Sequence, residues 1–160
     1  MEETLYENLM EAREELKRLE HIIYVSLKYT RTVDVILNAL HRMVSTFDLL
    51  IESFLKKAQT DGLAEKMAKS PGLRATSLAE IYPNDAELNK YLAFYYFLKK
   101  ILKAEYTKRQ EYRRHVAFIT EFDHSTVEVN IDNLVNCERF MHRFFTYSWH
   151  TLLGQPEKED

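Results

Sequence analysis

Val33-Asp-Val-Ile-Leu-Asn-Ala-Leu-His-Arg-Met-Val-Ser-Thr-Phe-Asp-Leu-Leu-Ile-Glu-Ser-Phe-Leu55 is the stretch from which the architecture is read. Its apolar positions, Val33, Ile36, Leu37, Leu40, Met43, Val44, Phe47, Leu50, Ile51, Phe54 and Leu55, recur in steps of three and one. At 3.6 residues per turn they form one broad stripe, wider than a coiled-coil seam needs. The spacing predicts a central core helix over 32–59, opened by Thr30 or Thr32 as N-cap and closed at Asp61-Gly62.

Upstream, Leu5, Leu9, Ala12, Leu16, Leu19 and Ile23 alternate steps of four and three, while Glu7, Glu11, Glu14, Glu15, Arg13, Lys17 and Arg18 fill the other face. A helix over 1–28 follows, with Glu14 and Arg18 at the favourable i, i+4 spacing. The narrow seam reads first as an ordinary bundle helix and second as a coiled-coil dimer seam. Downstream, Ser70-Pro71-Gly72 and Pro83-Asn84-Asp85 punctuate the chain, so 60–84 reads as loop with short helices, one of them around Thr76–Ile81. Asn84 or Asp85 then caps a helix rich in tyrosine and leucine over 85–112.

Beyond His115 the period changes. Val116–Phe122 and Thr126–Asn130 are rich in β-formers around Asp123-His124-Ser125, and a small β-hairpin over 114–130 is expected. A lone hairpin is marginal in water, so it must pack on helices or on a partner's edge. Asn130 or Asp132 caps a last helix over 131–153, in which Leu134, Cys137, Met141 and Phe144 make an apolar row that places Cys137 in the core. Residues 154–160 read as an acidic tail. The fold class is therefore all-α, or α with one small β-hairpin. It is an antiparallel bundle of four to five helices in a single domain over 1–153.

Composition agrees and narrows the function. Of 160 residues, three are Gly and three Pro, a scarcity of breakers that favours long helices. A single cysteine permits no intramolecular disulfide and no cysteine zinc knuckle. The acidic Met-Glu-Glu-Thr start and the want of an apolar run of about 18 residues point to a cytoplasmic protein without a membrane partner. The isolated glycines offer no phosphate loop, and Cys137 in an apolar row offers no nucleophile. Glu138 and His142 stand four apart, not at the Glu-x-x-His spacing of carboxylate metal bundles, so no metal and no other cofactor is expected. His21, His41 and His142 read as packed or surface residues.

The net charge is −3, yet Lys99, Lys100, Lys103, Lys108, Arg109, Arg113 and Arg114 crowd into 99–115 against Glu105 and Glu111. Tyr106, Tyr112 and His115 lie among them. Guanidinium and ammonium groups beside tyrosines suit single-stranded RNA, through phosphate contact and base stacking. The nucleic-acid-binding candidates are Lys103, Lys108, Arg109, Tyr112, Arg113 and Arg114. The same composition serves a solvated helix end that offsets its dipole, or a protein-docking surface.

Long helices with Arg109-Gln-Glu-Tyr-Arg-Arg-His115 near the end of the penultimate one resemble the HEPN superfamily of helical bundles, over about Thr30 to Leu152. The Lys103-Ala-Glu-Tyr106 run is similar to a segment at the corresponding place in some members. The stretch also resembles uncharacterised archaeal helical proteins with an Ala-Glu-Tyr-Thr…Glu-Tyr-Arg-Arg-His run. The superfamily resemblance implies a homodimer that cleaves RNA without metal, with Arg109 holding the phosphate and His115 moving protons. A helix usually continues through the His of this signature, whereas a β-like run begins beside His115, and Ala117 stands where nucleotidyltransferase-modified members carry a Tyr. Three readings follow: a dimeric module binding RNA or a ribonucleoprotein, an endoribonuclease acting through Arg109 and His115, and a structural adaptor for a protein partner.

Overall fold

A computed structural model describes residues 2–154, and the expected acidic tail beyond Gly154 lies outside them. The first helix, α1 (Glu2–His21), continues through a π-helical turn, Ile22–Ser26, and one further turn, Leu27–Tyr29. After it come α2 (Val33–Thr60), α3 (Pro71–Ile81) and α4 (Ala86–Lys103). Strands β1 (Tyr106–Arg109), β2 (Ala117–Phe122) and β3 (Ser125–Asn130) precede α5 (Ile131–Leu153). The described residues are thus mostly helical with one small antiparallel sheet, and none of their helices is long and apolar enough to cross a membrane.

The caps explain the boundaries. Thr32, Ser70 and Asp85 each accept a hydrogen bond from the backbone N–H three residues on, and Asn130 and Asn133 cap α5 reciprocally. Gly62 and Gly154, at φ +77° and +65°, take the left-handed conformation just after α2 and α5. Pro71 occupies the first position of α3, where its missing N–H is no loss. Ser70-Pro71-Gly72, read from sequence as an interruption, is the start of an 11-residue helix that subsumes the short one expected at 76–81.

The stripe of α2 is buried along its length, from Val33 to Ala58, against α1 on one side and α4 and α5 on others. Phe47 sits at the centre, with ring centroids of Phe144, Tyr95 and Phe94 at 5.1, 5.4 and 6.1 Å. Leu9, Leu16 and Leu19 of the predicted α1 seam are buried too. Glu14 pairs with Lys17 and Glu15 with Arg18, both three apart, in place of the expected Glu14–Arg18 pair; Arg13 and Glu15, read from sequence on the polar face of α1, are buried, Glu15 also pairing with Arg42 of α2. Cys137, expected in the core, is half-buried at its margin; burial pushes its thiol up to about 11, so it stays protonated near neutral pH.

The largest departure lies between α4 and β2. The helix expected over 85–112 ends at Lys103, and Tyr106–Arg109 turns back as a strand against β2. The expected hairpin is therefore the inner part of a three-stranded sheet in the order β1-β2-β3. Its inner face sets Phe118 opposite Val129 and Thr120 opposite Val127, and it covers the bundle core. Asp123 and His124, at φ +50° and +62°, make the two-residue turn between β2 and β3, where both central residues must be left-handed to match the strand twist.

Candidate nucleic-acid interface

Ending α4 at Lys103 divides the basic stretch in two. Lys99, Lys100 and Lys103 stay on the helix, and the Lys100 ammonium lies 5.3 Å from the centroid of Phe122, at the turn end of β2. Arg109 pairs in register with Ala117, at the opposite end of the same strand. Six residues of strand at about 3.3 Å each separate the two groups. Sequence reading placed them on one continuous helix end.

Loop 110–116 carries Tyr112, Arg113, Arg114 and His115, all exposed. It is tightly tied despite its exposure. The Tyr112 backbone N–H donates to the Arg31 carbonyl at 2.6 Å, Arg113 N–H to Gln110 O at 3.1 Å, and Val116 N–H to Arg113 O at 3.1 Å. Glu111 accepts from the Val33 backbone N–H at 2.9 Å, so the loop also caps α2. Gln110 and Tyr112 are held at φ +52° and +66°, a conformation that costs a side-chain-bearing residue on the order of 1 kcal/mol or more.

The charges near the loop fall into two groups. Lys108 bridges Asp34 at 3.4 Å and Glu111 at 3.6 Å, and the hydrogen bond to Asp34 holds its ammonium above the ordinary range. Arg109 is ion-paired with Glu128 across the sheet. Those pairs engage Asp34, Glu111 and Glu128. Among the described residues no ion pair engages Arg113 or Arg114, and Arg31, half-buried beside the loop, has a buried Nε with no hydrogen-bond partner. A buried guanidinium nitrogen without an acceptor is costly.

The structure therefore brings Tyr112, Arg113, Arg114 and His115 together, sets Lys108 and Arg109 beside them already paired, and leaves Lys103 apart. The loop also returns His115 to within two residues of the position opposite Arg109. The two residues of the ribonuclease expectation thus flank one loop, not one helix. Arg31 is the residue that sequence reading missed: it lies some 80 positions upstream, and the Tyr112–Arg31 backbone bond, with the Glu111–Val33 and Lys108–Asp34 contacts, draws it in.

Comparison of the chain with protein-family models, with curated proteins and with solved structures gives no match.

Proposed function

We propose that the protein is an RNA-binding module, an antiparallel helical bundle whose sheet presents loop 110–116 to the phosphate backbone. The observation that carries this reading is the charge segregation at the loop. Nearby acids are engaged by Lys108, Arg109 and the α2 N-terminus, while among the described residues no ion pair engages Arg31, Arg113 or Arg114. Guanidinium forks favour phosphate geometry, and Tyr112, 77% exposed, offers a ring on which an unpaired base can stack.

Homodimerisation belongs to the same proposal. β1 is an edge strand with all four residues exposed, open to a second copy adding there. Cleavage asks more of the site than binding does. Arg109 must exchange Glu128 for a phosphate, and His115 must then reach a 2′-hydroxyl as general base.

The test is incubation of the protein with labelled single-stranded and structured RNA in EDTA, alongside Arg109→Ala and His115→Ala, reading retention and cleavage together. Retention without cleavage, reduced by added salt, is the expected result. Cleavage lost in both variants would replace this reading with the ribonuclease one. Neither retention nor cleavage would overturn both in favour of a protein adaptor.

A further inference from the structure

On the α1–α5 seam, away from the loop, two side-chain pairs with i, i+4 spacing face one another: Glu20 and Tyr24 from the first helix and its π-helical turn, Glu138 and His142 from α5. His142 Nε2 lies 2.5 Å from Glu20 Oε1 and 3.0 Å from Glu138 Oε1, and one ligand atom from each of the three falls within 4.8 Å of the others. Tyr24 donates its hydroxyl hydrogen to the second oxygen of Glu138 at 3.4 Å, fixing the carboxylate from behind. His142 Nε2 thus faces two carboxylate oxygens, one from each helix, and can give a hydrogen to only one of them at a time. Glu138 is 7% exposed, where an uncompensated charge is costly.

We infer that Glu20, Glu138 and His142 form a binding site for a divalent transition-metal ion of the zinc class. One imidazole nitrogen and two carboxylate oxygens match the hard-to-borderline donor set such ions take, and a dication makes the cluster neutral. Bonds of about 2.1 Å in a tetrahedral site set ligand atoms about 3.4 Å apart, so Glu20 must withdraw by somewhat less than 1 Å from His142. Its side chain is 38% exposed and has room to do so. His142 also borders an open groove of about 470 Å³ beside Arg143 and His150. Sequence reading weighed Glu138 only against His142. The third ligand arrives 118 residues upstream, placed by the π-helical turn and the packing of α1 on α5. The bound ion would clasp the end of α1 to α5, independently of any RNA bound at the loop.

The untagged full chain, stripped with chelator and dialysed free of it, is titrated with Zn²⁺ by calorimetry and with Co²⁺ by visible absorption, with melting followed in parallel. The inference expects saturable binding of one ion per chain, and a Tm rise of about 5–10 °C at a hundredfold excess over Kd. Co²⁺ should give the intense visible bands of a four- or five-coordinate site. His142→Ala and the near-isosteric Glu20→Gln should each weaken binding at least tenfold. Glu20→Gln alters an exposed side chain, so its metal-free melting temperature should stay within a few degrees of wild type. Absence of saturable heat, or one-to-one binding that both variants leave unchanged, would overturn the site and leave an imidazole–carboxylate clasp.

Discussion

The aromatic seam between α2, α4 and α5 and the loop at 110–116 treat polar groups in opposite ways. Within the seam three tyrosine hydroxyls have a carboxylate: Tyr95 donates to Asp48 at 2.7 Å, Tyr91 to Glu87 at 2.6 Å, and Tyr147 to Asp85. Burial and those carboxylates push all three phenols well above their ordinary range. At the loop the Tyr112, Arg113 and Val116 backbone N–H groups are bonded, while among the described residues no ion pair engages Arg31, Arg113 or Arg114. The seam spends its polar groups on the fold. The loop holds a strained backbone in place and keeps its charges available, which is how a recognition surface differs from a structural one.

Breaking the seam should produce the largest losses. Phe47→Ala empties the centre of the aromatic cluster and is expected to cost about 3–5 kcal/mol in denaturant unfolding. Tyr95→Phe deprives the half-buried Asp48 of its donor and should cost about 1–2 kcal/mol. Asp48 also gives the seam a pH signature. Burial holds its carboxyl above 3.8, against the pull of Tyr95 and Lys99, so the native state binds the proton more tightly than the unfolded chain does. Its contribution is present below the unfolded value and is lost as pH rises through the raised native one. Asp48→Asn should remove that loss, so its stability relative to wild type should climb from pH 3 to pH 6; a flat difference would contradict the assignment.

Changes at the loop should be smaller in stability. Gln110→Gly relieves a left-handed side chain and should leave stability unchanged or raised by up to about 1 kcal/mol, where glycine in a helix would cost that much. A loss of 1 kcal/mol or more would mean that the Gln110 side chain makes contacts outweighing the strain. Smallest of all, Glu128→Gln frees Arg109 from an exposed pair and should shift stability by well under 1 kcal/mol. The released guanidinium should strengthen RNA retention, which separates its two roles.

The seam was legible in the sequence and the loop was not. Apolar spacing gave the α1, α2 and α5 stripes, and the side chains of Thr32, Asp85 and Asn130 act as the caps their chemistry suggests. The end of α4 failed because Ala104, Glu105, Lys108, Arg109, Gln110 and Glu111 are acceptable helix formers. What overrides them is non-local: β2 needs a partner on its outer side, and Tyr106 and Thr107 supply one. Nothing in Gln110 or Tyr112 signals a positive φ, since neither residue type favours it. Arg31 beside the loop, and Glu20 beside His142, are products of packing between distant segments, to which a periodicity along one helix is blind.

The central claim is that the loop, and not the lysines at the end of α4, grips RNA. Its most direct test is the affinity for a labelled single-stranded RNA, measured by fluorescence anisotropy across a KCl series. Wild type is compared with Arg113→Glu/Arg114→Glu and with Lys99→Glu/Lys100→Glu. The account predicts that reversal at the loop abolishes binding with the melting temperature unchanged, while reversal on α4 costs less than about threefold. Unchanged affinity in the loop variant, or a larger loss in the α4 variant, would contradict it.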